Sequence, residues 1–331
     1  MKQLAFIGLL ALAAAHIARG AAPVGSPVFI HGQLAVQGTH LVNQKGEPIQ
    51  LKGMSSFGLS NLAQFSNRHS IKWLQRDWGI TLFRAAVGVD GPRGYLANPR
   101  RMEDIVEEIV EACTTLGLYV IIDWHTFTSE SKEEAKVFFD RMSKEYGHLP
   151  NIIYELWNEP MEVSWDDEIR PYMEELTAVI RKNDPDNIIL AGTPRWSSLV
   201  NLAADNPLDD PNTMYVLHFY SGSHKQQIRD GADEALEKGL PIFVSEFGVS
   251  HYDGGGREDR AAYLEEADRW IQWMYQHQIS WANWSLCDKD EASAALKKGA
   301  DVRGQWDEND LSESGRYIRT QIKRSNPLLI K

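Results

Sequence analysis

Two apolar runs in the chain each deliver a glutamate. Ile152-Ile153-Tyr154-Glu155-Leu156-Trp157 leads into Asn158-Glu159-Pro160, and Pro241-Ile242-Phe243-Val244-Ser245 leads into Glu246-Phe247-Gly248. Such continuous apolar character suits a strand buried on both faces. A carboxyl at its C-terminal end sits where parallel α/β folds build their sites. Two facing carboxyls can break a glycosidic bond, one protonating the departing oxygen and the other attacking the sugar or activating water. The plainer reading of either glutamate is a strand cap or a partner for a surface lysine.

The elements that must position them recur along the chain. Strand-like segments run over Ile49 to Met54, Thr81 to Val87, Tyr119 to Trp124, Ile152 to Trp157, Ile188 to Ala191, Met214 to Phe219, Ile242 to Ser245 and Ile279 to Ser285. Between them Glu103 to Leu116, Lys132 to Tyr146, Asp167 to Lys182 and Arg260 to His277 repeat apolar residues at three- and four-residue steps, as helices covering a sheet do. The alternation predicts an α/β fold, a (β/α)8 TIM barrel. A doubly wound open sheet is the rival, but no Gly-x-Gly-x-x-Gly turn follows the first strand. Ahead of the barrel, Gln33 to Gln37 and His40 to Asn43 read as short strands, and Asn43-Gln44-Lys45-Gly46 as a turn. They predict a small N-terminal β-hairpin closing the barrel bottom. Ser312 to Arg324 reads as a last helix.

Composition narrows the class. A formal charge of -12 argues against a nucleic-acid or anionic-membrane partner, which would need a basic face, and it is compatible with a neutral substrate. The 331 residues, 43% hydrophobic and 24% charged, can build one sizeable core. Eleven tryptophans supply flat rings for packing or for stacking on sugars. Lys2, the apolar stretch Leu4 to Ile17 and the small-x-small sequence Ala18-Arg19-Gly20 read as a secretory signal peptide over residues 1–20. The expectation is therefore one domain over residues 21–331, secreted, extracellular and monomeric. Cys113 and Cys287 read as buried thiols, and a bridge between them is possible without being implied. The ten histidines lack zinc-ligand spacing, so neither metal nor cofactor is expected.

Each strand is followed by residues that carry chemistry: Arg84, Asp123-Trp124-His125, Asn158-Glu159, His218-Phe219-Tyr220, Glu246 and Trp284-Ser285. If the barrel forms, all of them face one bowl. With Leu51-Lys52-Gly53-Met54-Ser55, Asn183-Asp184-Pro185-Asp186-Asn187 and Gly192-Thr193-Pro194-Arg195-Trp196-Ser197, they form a collinear series along most of the chain. On this series the chain resembles glycoside hydrolase family 5 endoglucanases (cellulases) of the bacterial and invertebrate type.

The resemblance implies a retaining endo-β-1,4-glucanase, with Glu159 as acid/base and Glu246 as nucleophile, their carboxyls about 5–5.5 Å apart. It implies that Arg84 and Tyr220 hold Glu246 charged and that Asn158 bonds the sugar 2-hydroxyl. His125 and His218 would support the same subsite and orient the acid, with Trp284 as its floor. A cis peptide after Trp284 is implied as well. Trp196 would stack on the leaving-group side, and Lys289 and Glu291 would contact sugars on the other. Asn283-Trp284-Ser285 is a formal glycosylation sequon, discounted because it falls on a predicted buried strand. Phe57, Asn61 and Phe247 depart from the family pattern, which usually has His and Trp in the first loop and Trp after the nucleophile, so altered subsites are expected. The alternatives are the same chemistry on mannan, xyloglucan or xylan, and a catalytically silent β-glucan-binding protein.

Overall fold

The computed structural model describes residues 22–256 and 259–325, and the segment read as a signal peptide lies outside them. A hairpin comes first, β1 (Ala35–Gln37) and β2 (His40–Val42), with Ala35 opposite Val42. Eight parallel strands then close into a barrel: β3 (Lys52–Ser56), β4 (Leu82–Gly88), β5 (Tyr119–His125), β6 (Ile152–Glu155), β7 (Ile188–Ala191), β8 (Thr213–Tyr220), β9 (Ile242–Gly248) and β10 (Trp281–Leu286). Each pairs with the next, and β10 returns to pair with β3. This is the (β/α)8 architecture expected. The strand read from Ile49 starts later, at Lys52. Ile49 instead donates its backbone N–H to Leu41 of the hairpin, so this stretch belongs to the barrel's floor.

Helices cover the outside, among them Pro99–Leu116, Lys132–Tyr146, Arg170–Arg181, Leu264–Gln276 and Glu313–Lys323. Pro99–Leu116 turns Met102, Val106, Ile109 and Cys113 inward. It ends at Gly117, whose left-handed φ of 67° lets its N–H reach back to the Cys113 and Thr114 carbonyls. The helix read from Arg260 begins only at Leu264, because Arg260 has a positive φ of 52° that no right-handed helix contains. Cys113 and Cys287 are both free and buried.

Within the barrel, alternate residues of each strand face the interior. The lowest layers are apolar: Leu82, Ile121, Ile153, Val216 and Phe243 pack on Leu34, Leu41, Ile49 and Leu51 from the N-terminal segment, which closes the bottom. Two residues further along β4, β5, β6 and β8 lie Arg84, Asp123, Glu155 and His218, all buried. One step higher, Tyr220 and Trp284 cluster with Ala86 and the adjacent Phe57. The same period that fills the floor with hydrocarbon therefore lifts charge to the mouth. β9 breaks the period. Its register against β8 moves from Val216↔Phe243 to His218↔Glu246, one extra residue on β9, a bulge. As a result the consecutive residues Ser245 and Glu246 both reach inward, while Val244 and Phe247 pack in the outer core.

Candidate active site

Arg84 is the centre of the arrangement and is fully buried. Its Nε and Nη2 donate to Glu155 at 2.7 and 3.0 Å, its Nη1 to Glu246 Oε2 at 2.9 Å, and its Nη2 lies 2.9 Å from Asp123 Oδ2. Nη1 also reaches Ser55 Oγ at 3.2 Å, and Nη2 reaches Asn158 Oδ1 at 2.6 Å. One guanidinium thus organises three carboxylates and an amide, using the planar fork of donors that lysine lacks. A guanidinium can only be met by the oxygen end of Asn158, which fixes the amide's orientation. Its Nδ2 donor is left buried with no protein partner.

Both oxygens of Glu246 are engaged, Oε2 by Arg84 and Oε1 by the Tyr220 hydroxyl at 2.6 Å. Burial pushes this carboxyl up. The positive charge of His218, Arg84 and His125 and the Tyr220 bond outweigh it, so the group is held below its ordinary value. Glu159 moves the other way. It sits on the loop after β6, where its backbone N–H bonds to the Thr126 carbonyl. Burial raises its carboxyl, and the nearby Glu246 charge adds to the rise against the pull of His218. Carboxyl oxygens of Glu159 and Glu246 lie within 4.8 Å of one another. His218 shares that triangle, a spacing that a cation could also use. Here the guanidinium of Arg84 already supplies the compensating positive charge at Glu246.

The remaining expected residues divide by place. His125 does not bond Glu159. Its Nδ1 pairs with Asp123 Oδ2 at 2.8 Å, and its ring stacks on Trp284 at 5.3 Å with an interplanar angle of 3°. Trp284 is buried, and the Trp284–Ser285 peptide is cis. Phe57 tilts against Trp284 at 5.2 Å, and Lys289 Nζ lies 4.8 Å above the Phe57 ring while pairing with Glu291 at 2.7 Å. Lys289 and Glu291 therefore join the same wall. Trp196 is 42% exposed at the tip of a turn in which Arg195, Trp196 and Ser197 all have positive φ. Its backbone N–H donates to the Pro160 carbonyl, which ties the turn bearing the exposed indole to the loop carrying Glu159.

One expectation from the departures needs correcting. Phe247 lines no subsite: it is fully buried, stacked on Phe219 at 5.0 Å and edge-on to Trp281, because the bulge turns it outward after Glu246. Asn61, by contrast, is held by Arg93, whose Nη2 donates to its Oδ1 at 3.0 Å. Asn283 is buried with its Nδ2 on the Phe247 carbonyl, so the formal sequon is not at the surface.

Sequence reasoning missed Glu155, Ser245 and Ser55 as parts of this network. Glu155 had a signal, an acid inside an apolar run two residues beyond Ile153 and hence on the same interior face. Ser245 had none, because only the bulge brings it inward. Among the described residues no helix is long and apolar enough to cross a membrane.

Residues 42–290 match the family model for cellulase (glycosyl hydrolase family 5). The chain is 52% identical over 286 residues to endoglucanase A of Evansella cellulosilytica, covering 85% of this chain and 57% of that protein. It is 46% identical over 303 residues to endoglucanase 5 of Pectobacterium carotovorum, covering 90% of this chain and 59% of that protein. It therefore spans less than two thirds of the length of these relatives. A complex of the Thermobifida fusca endoglucanase Cel5A catalytic domain with cellotetraose superposes with a TM-score of 0.85 at 34% identity, covering 91% of this chain and all of that one.

Proposed function

The chain belongs to the cellulase family, glycosyl hydrolase family 5, and on that footing we propose that it is a secreted endo-β-1,4-glucanase that cuts internal bonds of cellulose or soluble β-glucans with retention. The observation that carries the reading is the carboxyl pair, close together and driven in opposite directions, Glu246 toward the charged form and Glu159 toward the protonated one. A separation this short suits direct attack by one carboxylate, whereas inverting enzymes hold theirs about 6.5–9.5 Å apart to admit a water.

In the first step Glu246 attacks the anomeric carbon, the bond to the leaving sugar breaks, and Glu159 gives its proton to the departing oxygen. In the second, a water attacks the same carbon, hands its proton to Glu159 and expels Glu246. Asn158 Nδ2, the buried donor without a protein partner, is free to bond the 2-hydroxyl as charge develops on the sugar. Trp284 with Phe57 supplies the apolar floor, and Trp196 the platform beyond the acid. Secretion rests on the leader-like residues 1–20 and on the size of a polymer substrate. N-terminal sequencing of protein recovered from culture medium tests it. A monomer is the working unit in this reading, since one chain supplies every group named.

Purified protein should release reducing ends from carboxymethylcellulose, and Glu159→Gln and Glu246→Gln should each remove nearly all of that release. The anomer first formed, followed by proton NMR, should be β; an α product would rule out Glu246 as nucleophile. A panel with mannan, xyloglucan and xylan tests the choice of polymer. Binding of cello-oligosaccharides without cleavage would establish the silent binder instead.

A further inference from the structure

Behind the acid lies a buried chain of hydrogen bonds that the two-carboxylate mechanism does not use. Ser245 Oγ donates to Glu155 Oε1 at 2.7 Å, and Ser245 Oγ lies 2.9 Å from His218 Nε2. The other imidazole nitrogen, Nδ1, lies 2.9 Å from Glu159 Oε1. Ser245 and Glu155 are fully buried and His218 nearly so. A hydroxyl has one proton, and Ser245 spends it on a carboxylate that two nitrogens of Arg84 also hold. His218 Nε2 must therefore be the donor to Ser245.

We propose that Ser245 is a positioning residue for the acid: it ties His218 to the permanent charge of Glu155, so that His218 donates from both ring nitrogens. Glu159 Oε1 then only accepts, and the acid's proton resides on Oε2, the oxygen free to protonate the leaving group. When that proton is given up, the Nδ1–H already in place stabilises the carboxylate that remains. The inference rests on the hydrolase reading above. The charged and titratable groups around His218 are Glu155 from β6, Glu159 from the loop beyond it, Glu246 from β9 and His224 from the turn after β8. Burial disfavours the imidazolium, but the bonds to Glu155 and Glu159 and the charge of Glu246 raise it to about 9. Glu155 is itself pushed up by burial yet held at about 2 by Arg84 and the His218 bond.

The test compares kcat/KM on cellotetraose, whose leaving group needs a proton, with kcat/KM on 2,4-dinitrophenyl β-cellobioside, whose phenolate does not. Ser245→Ala should lower the cellotetraose value about ten-fold more than the aryl value, and move the alkaline limb of its pH profile to higher pH, because Glu159 loses the downward pull of His218. Ser245→Thr, which keeps the hydroxyl, should restore both. An equal fall on both substrates overturns the proposal, since a merely structural serine would produce that. Imidazole 15N NMR of the wild type reads the same point without a variant: both nitrogens of His218 should be protonated at neutral pH, and one bare nitrogen overturns it. A wild type that cuts neither substrate overturns the hydrolase reading itself, a separate result.

Discussion

At the scale of single residues, the site works by giving two like carboxyls unlike neighbours. Glu246 has a guanidinium and a phenol on its oxygens, and Glu159 has an imidazole and the repulsion of Glu246. Activity requires Glu246 ionised and Glu159 protonated, so kcat/KM against pH should be bell-shaped. Its acid limb should lie below the ordinary carboxyl value of 4.5 and its alkaline limb above it. Asn158→Asp keeps an oxygen for Arg84 but removes the spare donor, and should lower kcat about 10²–10³-fold with little change in KM. Steady-state kinetics on cellotetraose checks this, and a rise in KM alone would count against a transition-state role. Arg84→Met strands three buried acids and should cost about 3–5 kcal/mol in urea unfolding, well beyond the loss of a surface pair. Glu159, Glu246 and Arg84 were legible as residue types at strand ends. The bond of His125 to Asp123 was not, because the strand read from the sequence stops at Trp124, whereas the folded strand continues through His125 and sets both residues on one face.

At the scale of elements, the loops set what the catalytic layer meets. The turn carrying Trp196 holds three successive non-glycine residues at positive φ, a conformation that costs each of them about 1 kcal/mol or more. That geometry projects the indole into solvent beside Pro160. Trp196→Ala should leave the melting temperature nearly unchanged and raise KM for longer oligosaccharides several-fold, on the order of 1 kcal/mol of lost stacking. In the loop after β3, the Arg93–Asn61 bond occupies the position where the family pattern has an indole. Asn61→Trp should lower KM for cello-oligosaccharides, and an unchanged KM would show that this loop does not meet the substrate. The identity of these residues was readable from the chain. That Asn61 is held by Arg93, and that Phe247 faces away from the cleft, depended on contacts across 32 residues and on a bulge.

At the scale of the whole molecule, the barrel stacks apolar floor, charged middle and open mouth along one axis, so catalytic charge is also a term in folding. His218 is raised from 6.5 to about 9 in the folded protein, so its contribution to stability is full below pH 6.5 and is lost as pH rises through 9. Urea unfolding of wild type and His218→Gln should show the wild type losing more stability between these two values, and parallel losses would contradict the linkage. The sequence by itself determined the barrel, its plugged base and the two glutamates, because the strand and helix periods and the residues at strand ends are local properties of the chain. Only the tertiary structure decided the partners. Closure of β10 on β3 brings Ser55, Arg84, Glu155 and Glu246 from four separate strands into one hydrogen-bonded layer. The bulge in β9 turns both Ser245 and Glu246 into it, because one extra residue breaks the alternation that a sequence pattern assumes.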